Sequence, residues 1–122
     1  MKESPIFVRT HDFILWLLPR TMSFPRSQRF VLTKRLQDAA LDFQERIIEA
    51  ALNRGRQQEE QLERADITLT KVRFYLRLAH ELGWLKPGQY AHACRMVTEI
   101  GKLIGGWRNP KPKNPNSLGE GP

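Results

Sequence analysis

The stretch Leu69–Trp107, LTKVRFYLRLAHELGWLKPGQYAHACRMVTEIGKLIGGW, decides the fold. Leu62, Ala65, Leu69, Val72, Leu76, Ala79 and Gly83 recur at alternating steps of three and four residues. Beyond Pro87 the set Tyr90, Ala93, Val97, Ile100, Ile104 and Trp107 repeats the rhythm. Such a rhythm places one apolar seam on each of two helices that pack against others. Lys71, Arg73, Arg77, Arg95, Lys102 and Arg108 sit among these positions, so the hairpin is basic as well as amphipathic.

Moving outward, three further features complete a four-helix reading. A first helix runs from about Val8 to Thr21, with Phe13, Ile14, Trp16, Leu17 and Leu18 toward the bundle, and Pro19 is expected to kink or end it. Ser23-Phe24-Pro25 breaks the chain, and a second helix follows from about Arg26 to Asn53, closed by Arg54-Gly55-Arg56. Its seam is Leu32, Leu36, Ala40, Phe43, Ile47 and Ala50, and its outer face pairs Asp42 with Arg46 at a spacing of four. The third helix starts near Gln57–Glu60 and ends near Trp84; the fourth opens at Pro87 and ends at Gly105-Gly106. The fold expected is all-α, an antiparallel up-down four-helix bundle over residues 1–108. Residues 109–122, rich in Pro, Lys, Asn and Gly, are expected to form a disordered tail.

A chain of 122 residues makes one domain with one modest core. Twenty Lys and Arg against 13 Asp and Glu leave a net charge of +7, which favours a polyanionic partner. The single cysteine, Cys94, excludes an internal disulfide and reads as a small buried side chain. The longest apolar run, Phe13–Leu18, is too short to cross a bilayer and makes a poor signal peptide, so a cytoplasmic protein is expected. Glu59, Glu60, Glu63 and Asp66 crowd the start of the third helix, where its dipole favours negative charge. With no histidine among them they make a poor transition-metal site, and no metal or other cofactor is expected.

Two groups of residues are candidates for function. The first is basic: Arg26, Arg29 and Lys34 on the second helix, Arg73 and Arg77 one turn apart on the third, and Arg95, Lys102 and Arg108 on the fourth. Arginine presents a planar fork matched to phosphate oxygens, so the group as a whole reads as a nucleic-acid surface. The second is apolar. Ile67, Phe74, Leu78, Leu82 and Leu85 form an additional stripe beside the third helix's seam, and Met96 and Leu103 one beside the fourth's. A monomer needs only one stripe per helix, so Phe74, Leu78, Leu82, Met96 and Leu103 are expected to meet other subunits. An enzymatic alternative rests on Arg73 and His80, seven residues apart, a spacing similar to the Arg-x4-6-His signature of HEPN-type helical ribonucleases. There histidine would act as base on a ribose hydroxyl. The polar residue that often follows that arginine is Phe74 here, and no zinc-ligand spacing accompanies the pair.

The run VRFYLRLAHELGWLKPGQYAHACRMVTEIGKLIGGW resembles the C-terminal half of the accessory variability determinant (Avd) proteins of diversity-generating retroelements. The shared pattern is Arg-Phe-aromatic-Leu-Arg, then a proline-started helix ending Glu-Ile-Gly-x-Leu-Ile-Gly-Gly-Trp. The early helix with Pro19 and the following Ser23-Phe24-Pro25-Arg26 are also similar. The likeness spans roughly Phe13–Arg108. It implies a bundle assembled as a homopentameric barrel that binds a reverse transcriptase and nucleic acid. It also implies a non-enzymatic role in mutagenic complementary-DNA synthesis from a template-repeat RNA, and in retrohoming. The family's two motif arginines fall on Arg73 and Arg77. Four-helix-bundle proteins of ribosomal RNA intervening sequences share the fold and are the alternative.

Overall fold

The computed structural model of the chain describes residues 4–110. Among these residues four helices run in order: α1 (Pro5–Thr21), α2 (Leu32–Ala51), α3 (Gly55–Glu81) and α4 (Pro87–Arg108), with a 3-10 turn at Arg26–Gln28. No strand occurs among the described residues. Each helix packs on two neighbours, α1 on α2 and α4, and α3 on α2 and α4, which makes a four-cornered bundle.

Cross-helix pairs give the directions. Phe7 faces Trp107 and Trp16 faces His92, so α1 and α4 run antiparallel. Asp66 bonds Arg108 while His80 stacks on Tyr90, so α3 and α4 are antiparallel as well. Gln58 reaches the Ala50 carbonyl and Gln61 meets Arg46, which sets α2 against α3 in the same sense. Phe24 and Trp84, 5.7 Å apart, close the end of the bundle opposite Phe7 and Trp107.

The seams form the core as their spacing requires. Phe13 and Leu17 from α1, Leu36, Phe43 and Ile47 from α2, Leu69, Val72 and Leu76 from α3, and Val97, Ile100 and Ile104 from α4 are all buried. Burial of such side chains contributes about 1.5–3 kcal/mol each. Small seam residues, Ala50, Ala65, Ala79 and Ala93, let the helices approach.

Several boundaries differ from the sequence reading. α1 begins at Pro5, three residues early, because proline suits a first helical turn. Pro19 sits inside α1, which ends two residues later. Thr21 Oγ1 donates to the Leu18 carbonyl and Ser23 Oγ to the Arg20 carbonyl, satisfying acceptors that the terminated ladder leaves open. Arg26 does not open α2: Pro25 leads into the 3-10 turn, and α2 starts at Leu32. Asp42 is not the partner of Arg46, whose guanidinium turns to Gln61 (3.4 Å) and Glu49 (4.0 Å).

Gly83 lies in no seam. It is exposed at φ +84, just past the end of α3. There the Trp84 N–H returns to the Ala79 carbonyl (2.8 Å) and the Gly83 N–H to that of His80 (2.9 Å). That is a Schellman closure, which needs a left-handed residue at this place. Leu85, which follows it, is core rather than outer stripe. α4 starts at Pro87 as expected, with the Gln89 side chain accepting from the Lys86 N–H (3.0 Å). It continues through Gly105-Gly106 to Arg108, because Ile104 and Trp107 pack against the bundle and outweigh weak glycine propensity. The tail expected from residue 109 lies outside the described residues after position 110.

Candidate nucleic-acid and subunit interface

α3 carries most of the candidate surface because it has two kinds of face. Its inner seam is buried, while Ile67, Phe74 and Leu82 point outward and are each more than half exposed. Lys71, Arg73 and Arg77 are exposed on the same helix. Of the five residues expected at a subunit contact, Phe74 and Leu82 are therefore open. Leu78, Met96 and Leu103 are half-buried and already pack on the chain's own core. Further exposed apolar residues recur at heptad spacing along α1 and just past its end (Val8, Leu15 and Met22), and others lie on α2 and just past its end (Leu41, Ile48 and Leu52). The sequence reading missed these because each lies beside a stronger seam.

Seven of the eight basic candidates, Arg26, Arg29, Lys34, Arg73, Arg77, Arg95 and Lys102, are exposed, and Arg108 is half-buried. They do not form one patch. Arg26 and Arg29 share a cleft of about 310 Å³ with Thr21, Phe24, Thr33 and Gln37, where α1 turns into α2. Arg29 also lies over the Phe30 ring, 4.9 Å from its centroid. Arg95 lines a separate cleft of about 370 Å³ between α1 and α4, with Arg9, Asp12, His92 and Glu99. Arg108 bonds Asp66 at 2.7 Å and joins Arg56, Glu59, Glu60 and Glu63 at the opposite end from Arg26. Its charge is largely answered within the chain.

The acidic cluster lies further along α3 than expected. No acidic residue lies in the first turn of α3, where a helix dipole acts most strongly. Ion pairs serve part of it instead: Arg56 with Glu60 (3.5 Å) and Arg108 with Asp66.

The third cleft, of about 130 Å³, lies between α3 and α4 and is lined by Arg73, Leu76, Tyr90, Cys94, Val97 and Thr98. Cys94 is therefore half-buried at this groove rather than a core side chain. Arg77 pairs with Glu81 at 3.1 Å, whereas Arg73 makes no ion pair among the described residues. The His80 and Tyr90 rings stack in parallel, 4.4 Å apart at 6°. His80 Nδ1 lies 3.0 Å from the Leu85 carbonyl, which can only accept, so that nitrogen carries the hydrogen. Burial, and next the neighbouring Cys94 thiol, push the Tyr90 phenol above its ordinary value, with the Arg77 guanidinium opposing them. The phenol is neutral at physiological pH. His80 is thus tied to the α3–α4 turn, two helical turns from Arg73.

These features define a basic, all-helical bundle with apolar residues left uncovered on several faces and no helix among the described residues long and apolar enough to cross a membrane. The bAvd-like family model matches residues 6–110, and the chain belongs to that family. This agrees with the resemblance to Avd of diversity-generating retroelements and supports an Avd-type accessory protein. Among solved structures, a protein of unknown function from the S23 ribosomal protein family of Bacteroides thetaiotaomicron shares the fold. It superposes with a TM-score of 0.77 at 19% identity, over 85% of this chain and 98% of that one. No curated protein matches the sequence.

Proposed function

We propose that the protein is a non-enzymatic accessory factor of a diversity-generating retroelement that binds the element's reverse transcriptase and its RNA or complementary DNA. Family membership over residues 6–110 supports the class. The observation that carries the finer reading is the outer face of α3, where exposed Phe74 and Leu82 alternate with exposed Lys71, Arg73 and Arg77. A surface of that kind joins copies of the chain through its apolar part and leaves its charge for phosphate. Apolar residues exposed along α1 and α2 as well as α3 favour a head-to-tail contact between unlike faces, and such a contact makes a ring where the rotation between subunits closes. Five copies is the number that the resemblance implies. A ring would repeat the dispersed basic clusters around one axis, so that scattered arginines act together by multivalency. It would work in the cytoplasm, where template RNA and polymerase meet.

The test is reconstitution of complementary-DNA synthesis from template-repeat RNA with the element's reverse transcriptase, with and without this protein. The expected result is a higher yield and co-purification with the polymerase. Equal yields without co-purification would refute the role and put the ribosomal-intervening-sequence reading ahead. No RNA cleavage is expected from the purified chain, since His80 is engaged by Tyr90 and Leu85. Cleavage abolished by His80→Ala would establish the HEPN-like alternative.

A further inference from the structure

The register of α3 against α4 sets Arg73 opposite Gly101, between the Asp66–Arg108 and His80–Tyr90 pairs. The guanidinium lies across α4 where that helix has no side chain. A methyl group on Gly101 would overlap Nη2 of Arg73 and stand 3.7 Å from both its Cζ and Leu69 Cδ2. Gly105 and Gly106 on the same helix would meet nothing within 4 Å. Glycine inside a helix is unfavourable relative to alanine, and among the described glycines only Gly101 has a neighbour in the space that the missing methyl leaves.

We propose that Gly101 is a positioning residue that seats the Arg73 guanidinium in the α3–α4 groove, so that the groove receives one phosphate group of a bound nucleic-acid strand. The proposal rests on the reading above that the basic surface meets a polyanion. Three observations support it. Arg73 makes no ion pair among the described residues, unlike Arg77 and Arg108 on the same side of the bundle. The cleft beside it, about 130 Å³, suits a single small anion and carries the hydroxyl-bearing residues Tyr90 and Thr98. Raised in pKa, the Tyr90 phenol keeps its proton and so remains a donor. A guanidinium that finds room across α4 lies beside the cleft before a ligand arrives, and a side chain placed in advance strengthens binding without adding a contact.

The experiment measures binding of a fluorescent single-stranded RNA oligomer to the full chain by anisotropy, across a salt series. Gly101→Ala should weaken binding about tenfold, the scale of a lost charge-assisted contact. It should lower the salt slope by about 0.7 per site lost, as Arg73→Ala does. The double variant should bind like Arg73→Ala alone, and Gly105→Ala like the unaltered protein. Helicity should be unchanged in all four. Normal binding by Gly101→Ala beside weakened Arg73→Ala would overturn the seat and leave the basic surface standing. Additive losses in the double variant would also overturn it. Normal binding by both single variants would remove the phosphate reading from this groove altogether. An independent check on the unaltered chain is the Arg73 Nε–H resonance, which should be resolved and rigid and should shift with the oligomer. A freely rotating side chain would refute the seat, and saturation by inorganic phosphate alone would refute the strand as its ligand.

Discussion

α3 presents two apolar faces with opposite fates. On one, Leu69 is 1% exposed and Val72, Leu76 and Ala79 are as deeply covered; on the other, Phe74 is 59% exposed, with Ile67 and Leu82 close behind. Composition does not separate them, since the outer face carries the larger side chains. The bundle has room for one stripe per helix, and the second stripe is left without a partner inside the chain. One face thus holds the monomer together while the other is available to a second molecule.

The largest effect should come from the covered side. Phe43→Ala empties a site that is 2% exposed in the middle of α2, and should cost about 3–5 kcal/mol of unfolding free energy. Phe74→Ala should change the stability of the isolated chain by no more than about 0.5 kcal/mol, the usual range for exposed positions. Urea denaturation of both variants checks the contrast. Similar losses would mean that α3 has no free face.

A second way to sharpen the comparison replaces Phe74 and Leu82 by aspartate. Light scattering should then show a 14.2 kDa species with helicity intact, where the unaltered protein gives a multiple of that mass. The same substitutions at Leu76 or Val72 should instead unfold the chain. A monomeric mass for the unaltered protein would remove the subunit role from the outer stripe.

The inner faces were legible in the sequence because burial repeats with the helix, and a repeat survives without knowledge of partners. The outer face was legible only in part. Leu82 and Leu85 read as one stripe, yet the Gly83 closure turns the chain between them and sends Leu85 into the core. Met96 and Leu103 read as a subunit face but lean on neighbouring helices, whose positions no local pattern contains. The same limit governs charge. Arg108 and Asp66 are 42 residues apart, and their bond depends on the α3–α4 register. So does the seating of Arg73 on Gly101, where spacing identified the arginine but gave no reason for the glycine.

Charge offers a smaller, third test across the two arginine environments. Arg108→Ala removes a partly exposed ion pair and should cost at most about 1 kcal/mol of stability. Its effect on RNA binding should be slight, because Asp66 already answers that charge. Arg73→Ala should do the reverse, with stability held and RNA affinity reduced. Equal effects of the two on RNA binding would show that pairing within the chain does not decide which arginines are available.

The smallest effect expected is a dependence on alkaline pH that originates at the groove between the faces. The Tyr90 phenol is raised above its ordinary 10.0 by burial first and then by Cys94, so the folded state holds that proton more tightly than the unfolded chain does. Below the unfolded value both states are protonated and the contribution is fully present. As pH rises past 10 the unfolded chain gives up its proton first, and stability falls until the folded phenol also ionises. Tyr90→Phe keeps the ring on His80 and removes the titrating group, so its unfolding free energy should decline less steeply above pH 10 than that of the unaltered chain. Because the ring persists, the two proteins should behave alike near neutrality, apart from a constant offset. Parallel curves throughout the alkaline range would show that Tyr90 titrates as it does in water.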